Sequence, residues 1–311
     1  MNNNNTVVGR YAPSPSGIMH LGNIATSLLT WLDVRSARGK IIFRMEDLDP
    51  DRSSAAFADG IADDLSYLGL DWDKGWNKDK ASEYAQSNRT GLYDDAFKLL
   101  LNREMIYPCY CSRSQRLAAS APHPGEERID YGCKCRHLSP SERSILEASG
   151  KRPAWKVKVP DREIAFIDSN YGLQKENLAD SGDFIIKRSD GVYAYQLAAS
   201  FDDMDMGITR VVRGRDLLSS TARQIWLITE LGGTPPDYCH APLIVSEDKK
   251  KMSKRDGALN IKMLKQKYSS EEIIGKLALC LNLSDGKPIT PRDLLYSFDW
   301  SKIPKNDIII K

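Results

Sequence analysis

The chain has 311 residues, more than one hydrophobic core usually organises, so one large domain with an insertion, or two domains, is expected. A formal charge of +2 excludes nucleic-acid binding through bulk charge and leaves only local basic patches for it. No apolar run approaches the roughly 18 residues that span a bilayer, the opening MNNNN lacks the regions of a signal peptide, and six cysteines in so long a chain do not form a secreted disulfide scaffold, so a cytoplasmic protein without membrane contact is expected.

Thr6 to Val8 suit a short buried strand. The stretch GRYAPSPSGIMHLGN at 9–23 then concentrates Pro and Gly in a polar, turn-rich loop. Ile24, Leu28, Leu29, Leu32 and Val34 follow at helical spacing and stop at Gly39, giving strand, loop, helix. The next strand, at Ile41, Ile42 and Phe43, turns abruptly acidic at Glu46, Asp47 and Asp49. Helix-period apolar positions occupy 53–70 and 82–105, after which 107–137 dissolves into Cys, Pro, Gly and charge, a candidate insertion. AWKVKV and EIAFID, within 154–168, predict a hairpin. Strands are expected around Ile185, Tyr193 and Val211, then a helix in STARQIWLITELGG, capped at Ser220 and stopped by two glycines. Strands alternating with helices on both sides of the insert predict an α/β fold with a parallel sheet.

Two runs carry chemistry. His20 stands on a strand-to-helix loop, where such folds bind ligands and where a helix N-terminus attracts phosphate. DKKKMSKRDG at 248–257 offers flexible point charges that can follow a polyphosphate leaving group, although a solvated charged loop has the same composition. Cys109, Cys111, Cys133 and Cys135 are grouped as thiolates around a tetrahedral zinc would be, one structural ion per chain. Arg113, Arg116, Arg136, Arg143, Lys151 and Arg152 make the insertion locally basic, suited to RNA phosphates or simply to solvent.

His20-Leu21-Gly22-Asn23 resembles the HIGH signature, and Lys251-Met252-Ser253-Lys254-Arg255 the KMSKS signature, of class I aminoacyl-tRNA synthetases. GRYAPSPSG before the first signature is similar to the glutamyl and glutaminyl branch. Only 56 residues follow Arg255, too few for an anticodon-binding part, and this plan resembles the short glutamyl-Q tRNA(Asp) synthetases, which attach glutamate to queuosine in a tRNA. EDLDPDR at 46–52, DFIIKRSDGVYAYQLA at 183–198 and VVRGRDLLSSTARQI at 211–225 resemble that group as well. The likeness covers most of residues 7–260.

The resemblance implies a Rossmann-like class I core in two halves, 1–106 and 184–258, with a zinc-bearing insertion at 107–183 and a short helical tail at 259–311. The expected reaction is activation of L-glutamate by ATP without tRNA, with Mg²⁺ accompanying ATP, followed by transfer to queuosine of tRNA(Asp) by a monomer. Arg10 and Arg213 are matched to the glutamate carboxylates, Glu46 to the ammonium and Tyr195 to an anionic oxygen, with Tyr11, Ala12, Pro13 and Ser14 lining the pocket. His20, Gly22 and Lys254 are assigned to ATP, and His20, Asn23, Lys251 and Lys254 to catalysis. Cys109, Cys111 and Cys135 are three expected metal ligands. Tyr131 is the fourth by resemblance to the short group, Cys133 by coordination chemistry and His137 by resemblance to the long synthetases. A minimal glutamyl-tRNA synthetase acting on a 3′ end and a non-catalytic RNA-binding relative stay open as alternatives.

Overall fold

The computed structural model describes residues 6–77, 82–111, 133–245 and 260–310. The expectations placed on Tyr131, Lys251 and Lys254 lie outside the described residues. Strand β1 (Val8–Tyr11) runs into the segment expected to be loop. Gly9 permits this, because a Cβ there would stand 2.3 Å from Val34 Cγ2 on the following helix. That helix, α1 (Leu21–Ser36), buries Ile24, Leu28, Leu29, Leu32 and Val34, as the spacing predicts. The chain returns as β2 (Lys40–Phe43), parallel to β1, and after α2 (Ala55–Tyr67) adds the short parallel strand β3 (Lys74–Gly75).

After α3 (Thr90–Asn102), β4 (Ile106–Cys109) enters a second, antiparallel sheet. Its neighbour is β5 (Ala154–Val157), which does not form the hairpin expected with EIAFID. That run is β6 (Glu163–Asp168), and its hairpin partner is β7 (Gly172–Asn177). Two turn signals decide the matter. Pro160 and Asp161 interrupt the first connection, whereas the tight turn needs the left-handed Gly172, at φ 73°, and the Asp168 carboxylate, which accepts from the Asn170 and Tyr171 amides. Strand β8 (Ile185–Lys187) closes the antiparallel sheet on β5, so pairing crosses the boundary expected at 183. Tyr193 makes only an isolated bridge to Lys187, and Tyr195 begins the helix Tyr195–Asp205 instead of lying on a strand.

The parallel sheet continues with β9 (Arg210–Gly214) and β10 (Asp237–Ala241), β10 lying between β9 and β6. Between β10 and β9 the chain forms the expected helix, Thr221–Glu230. Ser220 precedes it in helical conformation and makes no side-chain cap, because a 3-10 turn over Arg215–Ser220 already leads in. The two parallel units meet at β1 and β9, where the Thr209 amide donates to Val8 O at 2.9 Å and the Val8 amide to Thr209 Oγ1 at 2.9 Å. At such a seam between halves, open α/β sheets bind ligands beyond the carboxyl ends of the strands.

Residues after 260 pack on the first half. Ile273, Ile274 and Leu277 of the helix Ser270–Cys280 join one core with Ile24, Leu28 and Phe43, and Trp300 Nε1 donates to Asp33 Oδ1 of α1 at 2.6 Å. Beyond β11 (Ile244–Val245), the tail adds β12 (Ile308–Ile309) parallel to it. No described helix is long and apolar enough to cross a membrane.

Gly75 is a point where this packing admits no side chain: its φ is 116°, and a Cβ would lie 2.1 Å from Phe43 O. Gly75→Ala should lower unfolding stability by about 2 kcal/mol or more, measured in urea. A change within about 0.5 kcal/mol would show that β3 yields freely.

Candidate active site

His20 caps α1. Its Nδ1 accepts from the Gly22 amide at 3.1 Å, and Asn23 Oδ1 accepts from the His20 amide at 3.2 Å. A Cβ at Gly22 would come 3.1 Å from the His20 ring, a tighter contact than side chains usually make. The first signature thus builds its own helix cap, the Gly22, Asn23 and Ile24 amides all donating back to His20. The flanks of the second signature arrive at the same place. Ile244 lies against Gly22, Asn260 makes a bridge with His20, and the Ile261 amide donates to Met19 O at 3.0 Å.

The residues matched to amino-acid recognition gather at the seam. Arg10 is buried, with Nε on Asp203 Oδ1 at 3.2 Å and Nη1 on Val212 O at 3.0 Å. Its Nη2 has no partner among the described residues. Glu46 accepts from Arg44 Nη2 at 3.1 Å, and burial raises its carboxyl above the ordinary range against the pull of Arg44 and Arg10. The Tyr11 ring instead turns into the core, edge-on to Phe43, so Tyr11 can serve a ligand only through its backbone. Its carbonyl already accepts from the Arg44 amide, and the Pro13 carbonyl from the Glu46 amide. Ala12 is half-buried and Ser14 exposed at the rim.

Arg213, only 4% exposed, has a partner for each of its five N–H groups. Nε donates to His240 Nε2 at 3.0 Å; Nη1 to Gln224 Oε1 at 2.5 Å and Tyr195 Oη at 3.4 Å; Nη2 to Thr221 Oγ1 at 2.8 Å and Leu217 O at 3.2 Å. All are neutral acceptors. The Tyr238 ring lies 5.2 Å beneath the guanidinium. Among the described residues no carboxylate is within ion-pair distance, so Arg213 pairs with neither Asp216 nor Asp202. Arg213 is thus a buried cation whose direct contacts are all neutral, the longest of them to the half-buried Tyr195 hydroxyl.

The sequence reading missed what holds these residues. Arg44 has no exposed surface and donates to Asp203 Oδ1 at 2.8 Å, with Asp202 at 3.6 Å. Burial works against its charge, and Asp203, Asp202 and Glu46 more than restore it. Burial likewise pushes Asp203 up, but Arg44 and Arg10 hold its carboxyl below the ordinary range. Asp202 also receives Arg89 at 2.8 Å, Gln86 at 2.7 Å and Tyr93 at 2.9 Å. The available signal for Arg44 was a lone charge between the strand residue Phe43 and the apolar Met45.

Away from the seam, the sulfurs of Cys109, Cys111, Cys133 and Cys135 lie within 4.8 Å of one another. Three of the separations are 3.3, 3.7 and 3.7 Å. A tetrahedron of sulfurs about 2.3 Å from a zinc ion has edges of about 3.8 Å, so the set fits that ion. His137 is exposed and outside this cluster. Arg136, one of the basic residues considered for RNA, is committed to Asp183 at 2.9 Å.

Residues 6–282 match the family of tRNA synthetases class I (E and Q), catalytic domain. The chain belongs to that family. It is 44% identical over 307 residues to the glutamyl-Q tRNA(Asp) synthetase of Symbiobacterium thermophilum, covering 97% of this chain and 95% of that one. The glutamyl-Q tRNA(Asp) synthetase of Nitratidesulfovibrio vulgaris is 42% identical, covering 97% and 94%. Glutamate–tRNA ligase 2 of Syntrophus aciditrophicus is 37% identical, but this chain spans only 63% of it. Among solved structures, a glutamate tRNA ligase from Elizabethkingia meningosepticum in complex with its amino acid superposes with a TM-score of 0.82 at 26% identity, over 98% of this chain and 67% of that one. The fold is accordingly the Rossmann-like class I synthetase fold, and the protein is an ATP-dependent ligase.

Arg44→Met should lower stability by about 3–5 kcal/mol at pH 7, because it strands buried carboxylates. With its folded-state pKa lowered, Asp203 contributes stability fully above the ordinary carboxylate pKa of about 4 and loses it as pH falls through the lowered value. The gap between variant and wild type should therefore narrow on acidification from pH 7 to 3 in urea unfolding. A constant gap would mean that Arg44 acts through packing alone.

Proposed function

We propose that this ligase activates L-glutamate with ATP in the absence of tRNA and transfers the glutamyl group to queuosine in tRNA(Asp). Arg213, which makes no ion pair with any described carboxylate, carries the amino-acid part of the proposal: together with Arg10 it supplies a second fixed cation for a dicarboxylate, while Glu46 accepts the ammonium. Relatives that this chain covers almost end to end bear the glutamyl-Q tRNA(Asp) name, which supports the acceptor.

In the first step the α-carboxylate attacks the α-phosphorus of ATP and pyrophosphate departs, so no side-chain nucleophile is needed. Catalysis rests on positioning and on charge stabilisation. His20 meets the phosphates, Asn23 fixes the His20 backbone, Gly22 keeps the approach open, and Lys251 and Lys254 meet the growing charge on pyrophosphate. Mg²⁺ enters with ATP, held mainly by phosphate and water. In the insertion Cys109, Cys111 and Cys135, with Cys133 or Tyr131, hold one zinc. A closed set of four protein ligands gives that ion a structural role and leaves no open position for chemistry.

Pyrophosphate exchange without tRNA should proceed with glutamate and be at least about tenfold weaker with glutamine, whose amide leaves a buried guanidinium poorly matched. Equal rates would refute the two-cation pocket. Labelled glutamate should enter only tRNA(Asp) that carries queuosine; charging of a 3′-terminal adenosine would make the protein a minimal glutamyl-tRNA synthetase. Elemental analysis should find one zinc per chain, and comparison of Cys133→Ser with Tyr131→Phe should show which loss releases it. A metal-free, fully active preparation would remove zinc from the account.

A further inference from the structure

The proposed pocket leaves one buried pair without a task. Asp168, at the end of β6, and His240, on β10, are 1% and 0% exposed, and His240 Nδ1 lies 2.6 Å from Asp168 Oδ2. The other carboxylate oxygen, Oδ1, accepts from the amides of Asn170 at 3.0 Å, Tyr171 at 2.9 Å and His240 at 3.3 Å. Asp168 therefore cannot rotate. On the far side of the ring, Nε2 faces Arg213 Nε at 3.0 Å. A guanidinium only donates and a carboxylate only accepts, so the proton sits on Nδ1 and Nε2 is a bare acceptor. Burial lowers the basicity of His240, and the charge of Arg213 adds to this against the pull of Asp168, keeping the ring neutral. Tyr238 stacks on the ring 6.3 Å away, with planes 9° apart.

We propose that Asp168 and His240 form a relay that positions Arg213 for amino-acid recognition, His240 being the positioning residue and Asp168 the group that sets its tautomer. The inference rests on the preceding assignment of Arg213 to the glutamate carboxylate and adds how that arginine is kept available. A carboxylate in the place of His240 would hold Nε equally well but would neutralise the guanidinium. A neutral imidazole holds the geometry and leaves the charge for the ligand. The relay also fixes which edge is presented: with Nε and Nη2 committed inward and one N–H of Nη1 held by Gln224 Oε1 at 2.5 Å, the remaining Nη1 N–H, on its long contact to Tyr195, is the one a substrate can take over.

The discriminating variant is Asp168→Asn. The three backbone amides require the Asn oxygen, so its NH₂ must face Nδ1. The ring then carries its proton on Nε2, where it opposes the N–H of Arg213. In pyrophosphate exchange, the KM for glutamate should rise about tenfold or more while the KM for ATP stays within about twofold. Nitrogen-15 spectra of His240 in the wild-type chain should show a protonated Nδ1 and a bare Nε2, with the Nε2 resonance moving as glutamate is titrated in; this measurement holds even if the variant fails to fold. Arg213→Lys separates the two levels. If it leaves the KM for glutamate unchanged, the assignment of Arg213 falls and the relay with it. If it raises that KM while Asp168→Asn does not, or if the wild-type ring carries its proton on Nε2, the relay alone is overturned.

Discussion

The site depends on the burial of Arg44. A guanidinium with no exposed surface persists only when its charge is matched, and Arg44 draws Asp203 and Asp202 from the helix Tyr195–Asp205 and Glu46 from its own strand end to meet that requirement, its Nε alone making no hydrogen bond among the described residues. Asp203 in turn holds Arg10 on β1. Removing two ions from water costs several kcal/mol per ion, and one pair seldom recovers it. Here each carboxylate serves more than one donor, so the desolvation of Asp203 and Asp202 is shared among Arg10, Arg44 and Arg89.

The buried arginines consequently differ in kind. Arg10 and Arg44 are tied to carboxylates and act first as frame. Arg213, on the neighbouring strand, is surrounded by an imidazole, an amide, two hydroxyls and a carbonyl. The first arrangement stabilises the fold at the cost of attraction for a ligand, and the second keeps that attraction at some cost in stability. The seam between β1 and β9 thus has one wall of direct ion pairs, Glu46 among them, and one where Arg213 touches only neutral acceptors and senses Asp203 at a distance.

Local patterns in the chain were sufficient for α1, whose apolar spacing reports its buried face, and for His20, Gly22 and Asn23, which lie close enough to cap one helix together. Long-range partners left no such trace. Arg44 and Asp203 are separated by 159 positions, and His240 and Asp168 by 72, so neither pair has a period or a spacing to read. Neither His240 nor its strand, Asp237–Ala241, was among the expected elements. The expected hairpin at 154–168 failed because alternation identifies strands without naming their partners; the turn residues Pro160 and Gly172 carried that information. The strand expected around Tyr193 gives way to a helix at Tyr195, since a helix start and a strand end can look alike over a few residues.

The contact between Val8 and Thr209 spans 201 positions. Closing so long a loop carries an entropic cost that is recovered only when both parallel units are already formed, so their docking belongs to the late part of folding. Each unit can assemble its own strands and helices beforehand, β1 to β3 around α1 and β9 with β10 around the helix Thr221–Glu230. The charged cluster cannot form in either piece alone, because Arg10 and Arg44 belong to one and Asp202, Asp203 and Arg213 to the other. A chain that has not docked its halves therefore carries unmatched ionic groups at the future seam, which keep that surface hydrated and disfavour premature collapse. Completion of the ionic frame and assembly of the proposed amino-acid pocket thus both wait on the docking of the two halves.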